Sequence, residues 1–209
     1  SVSQLPPLPK HTQEVEAFAA ELTGWTKAPV QAEYVGPVLF EGEGAAEFFN
    51  QLLAHNVSNP RSLWLENESE KKRFPAGALA GRIGLRVGPS FLDATDDPTP
   101  DQEDGTPLAG HYVVDDEGIP AQAVSLVANG RLKNVLMSRS PVKGRAASNG
   151  HARGGFFDLP TARPGTLFVS VSSAIPAIAL KAKLLDLVRE AGLEYGLKVR
   201  RLGYEDQKG

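Results

Sequence analysis

Apolar positions recur along the chain with two different periods, and the change of period marks the elements. From Thr12, an expected N-cap, Val15, Phe18, Ala19 and Leu22 recur at helical spacing, with Glu14, Glu16 and Glu21 on other faces and Gly24 as the stop. Ahead of this helix, Pro6, Pro7 and Pro9 predict an extended, proline-rich linker over residues 1–10. Val30 to Tyr34 carries an extended pattern, and Val38-Leu39-Phe40 predicts a short buried strand. Gly42 and Gly44 then turn the chain into a helix from about Ala45 to His55. That helix is expected to bury Ala45, Phe48 or Phe49, Leu52 and Leu53, leaving Glu47, Asn50, Gln51 and Ala54 nearer the other side. Asn50 and Gln51 are thereby available to a cleft.

Residues 56–86 are rich in polar and breaker residues and predict an exposed excursion. Leu85 to Asp93 alternates like a strand, followed by an acidic loop from Asp93 to Gly105. Two turn signals, Asp116-Glu117-Gly118 and Asn129-Gly130, then separate three β-rich runs, Tyr112 to Val114, Ala121 to Val127 and Leu132 to Met137. This pattern predicts an antiparallel meander. Ser138 to Arg153 reads as loop and Thr166 to Ser172 as another strand. Pro176 opens the longest helix, with Leu180, Leu184, Leu187, Val188 and Ala191 on one face and Gly192 at its C-terminal cap. Leu197 to Leu202 predicts a final strand, and residues 204–209 a polar tail. Strands grouped together with a few flanking helices, without βαβ alternation, predict a mostly antiparallel α+β fold in a single domain over residues 11–203.

Composition narrows the function more than the fold. The 209 residues are 41% apolar, enough for a sizeable core, and carry a formal charge of -3 with both signs interspersed. No basic field suits nucleic acid, and no apolar run is long enough to span a membrane. The expectation is a cytoplasmic protein. With no cysteine in the sequence, disulfides, thiolate metal sites and cysteine nucleophiles are excluded within the chain.

Candidate chemistry lies in three places. The strand, Gly-rich turn and helix over residues 36–55 can hold a phosphate, a catalytic group or nothing. Six carboxylates among the thirteen residues from Asp93 to Gly105 invite calcium. Their spacing does not match a calcium loop, and a solvated acidic turn is the plainer reading. Arg139, Lys143, Arg145, His151 and Arg153, with Asn149, make the third place locally basic, so that a small anionic group could settle there. His55, at the end of an apolar helix, reads as a capping or packing residue, and nothing in the spacing of His111 or His151 joins them to it.

Three passages together resemble the TldD/PmbA family, described as modulators of DNA gyrase and as zinc metallopeptidases. They are Gly36-Pro37-Val38-Leu39 with the helix to His55; Asp115-Asp-Glu-Gly-Ile-Pro120 leading to Asn129-Gly-Arg-Leu-Lys133 and Ser138-Arg139; and Ser148-Asn-Gly-His-Ala-Arg153 with Leu159-Pro160 and Arg163. Order and spacing agree over about residues 30–175. The resemblance implies that this is a shortened C-terminal portion of such a protein, since full-length members carry an N-terminal domain and further strands.

In active members the helix carries H-E-x-x-x-H, in which two histidines and a third ligand hold zinc while the glutamate takes a proton from the metal-bound water. The same six positions here read Asn50-Gln51-Leu52-Leu53-Ala54-His55. The Asn50 amide oxygen is neutral and weakly basic, and Gln51 cannot act as a general base. The family's third ligand is a cysteine near the C-terminus, and none is present. Asn50 and His55 also stand about 140° apart on an ideal helix, so both would reach one metal only if the helix were broken or bulged.

The resemblance therefore implies a catalytically silent domain with no expected cofactor, a structural or peptide-gripping partner of an active peptidase subunit, working as a homo- or hetero-oligomer with a TldD/PmbA-type subunit. A peptide could add as a strand to an exposed edge of the meander. Two alternatives stay open: a zinc peptidase using His55 with unrecognised or partner-supplied ligands, and an anion-binding module at Arg139, Arg145, Asn149, His151 and Arg153. A gyrase-linked role follows only from the family name.

Overall fold

Helix α1, Leu8–Thr26, begins four residues before the expected N-cap, Thr12, because a proline in the first helical turn removes an N–H that has no intrahelical partner anyway. Leu8 to Lys10 are therefore helical, not part of the expected linker. The structure, a computed structural model, describes residues 8–31, 33–58, 77–140, 147–155 and 159–203. The turn closes on Lys27 N–H to Gly24 O and Ala28 N–H to Trp25 O. No side chain of α1 is buried, and the described residues of 30–34 form no strand. The chain divides into two compact units, residues 1–36 and 37–209.

In the larger unit, strand β1 (Val38–Phe40) leads through Gly42 into α2 (Glu43–Phe49). A π turn over Asn50–Ala54 and a 3-10 turn over His55–Val57 follow. β2 (Leu92–Asp96) precedes a small hairpin of β3 (Gln102–Glu103) and β4 (Thr106–Pro107), and β5 (Val124–Ala128) and β6 (Arg131–Leu132) form a second. β7 (Ala152–Arg153) pairs with β8 (Thr161–Ala162). β9 (Leu167–Val171), α3 (Ala177–Glu190) and β10 (Leu197–Val199) complete the order.

The main sheet has the order β6-β5-β2-β9, antiparallel throughout. Asn129 and Gly130 both take positive φ, 51° and 70°, as a two-residue hairpin whose twist matches its strands requires. A side chain at Gly130 would also meet the Pro89 carbonyl at 2.2 Å. Val124, Leu126 and Val127 from β5, Leu132 from β6, and Leu53 and Val57 from the turns after α2 meet in one core. Val135, Leu136 and Met137 run on from β6 into the same core, where Leu136 N–H bonds to Val57 O at 3.0 Å.

Two strand assignments move. The strand expected at Leu85 to Asp93 sits at Leu92–Asp96, because Pro89 opens a turn closed by Leu92 N–H to Pro89 O. The acidic loop is consequently half strand and half hairpin: Asp93 Oδ1 accepts the Asn129 N–H at 2.7 Å, and Asp104 and Gly105 turn β3 into β4. The expected meander keeps only its second hairpin. Tyr112 to Val114 makes a lone bridge, Val114 to Pro120, and β2 takes the place beside β5. The reason is Asp115, whose carboxylate collects the N–H groups of Glu117, Ile119 and Ala152 and draws that segment into a knot of local bonds instead of a ladder.

β1 pairs with β10 in a two-stranded parallel sheet, and Val38 is 38% exposed, so the strand is half-buried, not buried as expected. α3 ends as its sequence predicts. Gly192 adopts φ 67° and donates to Arg189 O, while Leu193 N–H reaches Val188 O, the paired bonds of a glycine cap. Among the described residues no helix is long and apolar enough to cross a membrane.

Candidate functional site

The π turn changes what the motif positions can do. His55 N–H bonds to Asn50 O, five residues back, so one extra residue is wound into the turn. Residues 50 and 55 thereby come onto one side, and the bulge required for both to face one point is present. The insertion also rotates the end of the helix. Leu52, expected in the core, is 51% exposed, while Ala54 is buried at 2%. Carbonyls left over by the altered pattern are met by Asn56, whose Nδ2 donates to Gln51 O at 2.8 Å and Leu52 O at 3.0 Å.

The two amides turn toward Glu47, one turn earlier. Glu47 Oε2 accepts from Asn50 Nδ2 at 3.1 Å and Oε1 accepts from Gln51 Nε2 at 2.8 Å. An ionised carboxylate of this kind accepts only, so the amide oxygens of Asn50 and Gln51 point elsewhere. His55 is exposed. Zinc at this turn would have one imidazole and one neutral amide oxygen, and among the described residues no three His, Cys, Asp or Glu side chains converge to hold a metal. The residues present do not fit the zinc site of the family's active members.

Beside the π turn runs a groove of about 410 Å³, walled on one side by Ala45, Ala46, Phe49 and Asn50 and on the other by Leu167, Val169 and Val171. The last three are alternate residues of β9 and share one face of it. Among the described residues β9 pairs with β2 along one edge and is the last strand of its sheet, so its other edge presents backbone N–H and C=O groups beside an apolar wall. Phe40 stacks on Phe48 with ring centroids 4.5 Å apart, and Phe48 meets Phe49 edge-on at 5.3 Å, which fixes the helix wall.

The basic loop is distributed over internal bonds. Asn149 Oδ1 accepts Met137 N–H at 2.7 Å while its Nδ2 donates to Val135 O at 2.9 Å, stitching the loop to the chain after β6. His151 is fully buried, with Nδ1 at 2.8 Å from Asn149 O and Nε2 at 3.0 Å from Asp96 Oδ1. Arg153 pairs with Asp116 at 3.2 Å and lies 4.6 Å over the Tyr112 ring. Tyr112 donates to Gly150 O at 2.8 Å, and burial, with the Asp96 charge second, pushes its hydroxyl pKa well up from the ordinary value. Arg139 is exposed, and Arg145 lies outside the described residues. His111 Nδ1 sits 3.0 Å from Pro98 O. A second cleft, of about 400 Å³, lies between β5 and this loop, with Ser125, Asn134, Ser148 and Asn149 among its lining. The carboxylates that organise the region, Asp96, Asp115 and Asp116, carried no sequence signal as partners, since each meets residues more than thirty positions away.

A family model described as the PmbA/TldA metallopeptidase C-terminal domain matches residues 33–200. The chain belongs to that family. A protein of Archaeoglobus fulgidus named "Metalloprotease" is 32% identical over 132 residues, which cover 63% of this chain and 27% of that protein. The crystal structure of TldE from Thermococcus kodakarensis superposes with a TM-score of 0.52 at 18% identity, over 71% of this chain and 30% of that one. The TldE likeness speaks for the fold, and the α+β architecture agrees with it. The chain thus spans under a third of the length of either relative. The stitch made by Asn149 and the knot made by Asp115 fall in the passages that carry the PmbA/TldD resemblance, which gives those passages a structural role here.

Proposed function

We propose that this PmbA/TldD-type domain is catalytically silent and grips an extended peptide for a partner subunit that carries an intact H-E-x-x-x-H. The observation that carries the reading is the π turn with Asn50 and Gln51 on it. The turn winds positions 50 and 55 toward one side, and amides stand at the two positions where the family's motif has a ligand and a general base. The groove beside it supports the gripping role. A peptide lying along the edge of β9 away from β2, which no described strand covers, gains backbone hydrogen bonds there and sets alternate side chains against Leu167, Val169 and Val171. The edge is that of β9, in place of the meander expected from the sequence.

The test has two arms on the purified protein. Zinc content and peptidase activity are measured for wild type and His55→Ala; stoichiometric zinc that is lost in His55→Ala refutes silence. Unstructured apolar peptides are titrated by fluorescence anisotropy against wild type and Val169→Lys. Binding that weakens at least about tenfold in the variant, a change of about 1.4 kcal/mol, supports the groove. Equal binding refutes it.

A further inference from the structure

Helix α1 lies outside the matched residues 33–200. Leu8, His11, Val15, Phe18, Leu22 and Trp25 follow one another in steps of three and four, a seven-residue repeat over the whole helix. The five large apolar side chains among them are 78%, 66%, 46%, 40% and 47% exposed in that order. Phe18 and Trp25 pack edge to face with centroids 6.4 Å apart, making a continuous ridge.

From this stripe we propose that α1 pairs with α1 of a second copy as a short parallel coiled coil. Area and charge both select that occupant. The exposed stripe amounts to roughly 500 Å² on one helix, beyond what scattered surface apolar residues make. Two such stripes together reach the ~1,000 Å² at which specific interfaces begin. The flanking positions are Glu14 and Glu21 on one side and Thr12, Ala19 and Thr26 on the other. In a parallel pair Glu14 faces Ala19 and Glu21 faces Thr26, so no like charges meet; an antiparallel pair sets Glu14 against Glu21. His11 is the one polar side chain in the seam, a residue type that sets register at some loss of stability. This pairing is independent of whether the groove holds a peptide.

Sedimentation equilibrium over a concentration series tests it on the full chain. Wild type is expected to move from the mass of one chain to that of two as concentration rises, and Phe18→Glu with Leu22→Glu to stay at one while its thermal unfolding is unchanged. Because the sequence has no cysteine, Leu22→Cys adds a single thiol that a parallel pair brings face to face, and mild oxidation is expected to give a covalent dimer. A wild type that stays monomeric throughout overturns the proposal, as does a dimer that survives the double substitution. A reversible dimer that Leu22→Cys does not cross-link overturns the parallel arrangement.

Discussion

Asp96 and His151 are both fully shielded from solvent, and each holds the other in place: His151 Nε2 lies 3.0 Å from Asp96 Oδ1, which also accepts the Gly165 N–H. Removing the carboxylate leaves the buried His151 Nε2 and Gly165 N–H without their partner, so Asp96→Ala is expected to lower stability by about 1–3 kcal/mol in urea unfolding. Tyr112 supplies a pH dependence. Its folded pKa is raised above the unfolded value by burial and by Asp96, so its contribution is complete below the unfolded pKa and is lost as pH rises beyond about 10. Wild type is therefore expected to lose stability in that alkaline range more steeply than Tyr112→Phe. At neutral pH the variant is weaker by about 0.5–1.5 kcal/mol for the lost bond to Gly150 O. Neither residue was legible as a partner. A histidine in a glycine-rich basic loop reads as a ligand donor until the strand carrying Asp96, 55 residues earlier, is seen to pass beneath it.

At the level of elements, helices were read closely where a helical period ran unbroken. α3 starts after Pro176 and stops at Gly192 because its start and stop signals are local. α2 was read correctly up to Phe49 and out of phase afterwards, since the added residue of a π turn leaves no trace in a 3.6-residue pattern. The bulge has a measurable consequence. Asn50→His with Gln51→Glu sets two imidazoles on one side of the turn, and the double variant is expected to bind zinc more tightly than wild type in a competition titration, an increment abolished by His55→Ala. The start of α2 is constrained in another way. A β-carbon at Gly44 would sit 2.8 Å from Arg200 C and 2.9 Å from Val199 O, both backbone atoms. Gly44→Ala is therefore expected to destabilise by about 1–3 kcal/mol, with faster hydrogen exchange in β10 as the local readout.

Across the whole molecule, the α+β class and the mostly antiparallel sheet were legible, while the order of strands was not. Asp93 and Asp96 made β2 look like solvent-facing loop, because their satisfaction depends on Asn129 N–H and on His151, contacts that no local window contains. The edge that matters for the proposed grip, β9, read as an ordinary alternating strand. Only the position of α2 alongside it turns Leu167, Val169 and Val171 into the wall of a groove.

The parallel pairing of β1 with β10 also has a kinetic side. Glu41, just beyond β1, bonds Arg200, just beyond β10, across a separation of 159 residues, and Lys198 of β10 reaches the same carboxylate at 2.9 Å. Closing a chain segment of that length costs roughly 4–5 kcal/mol of entropy before the first contact forms, whereas the β5–β6 hairpin closes across two residues. The hairpin and its core neighbours are expected to form early, and the β1–β10 clasp late. A weakened clasp such as Gly44→Ala should then speed unfolding while leaving the folding rate nearly unchanged in stopped-flow measurements. The lifetime of the folded domain, more than its rate of formation, is set where its two ends meet.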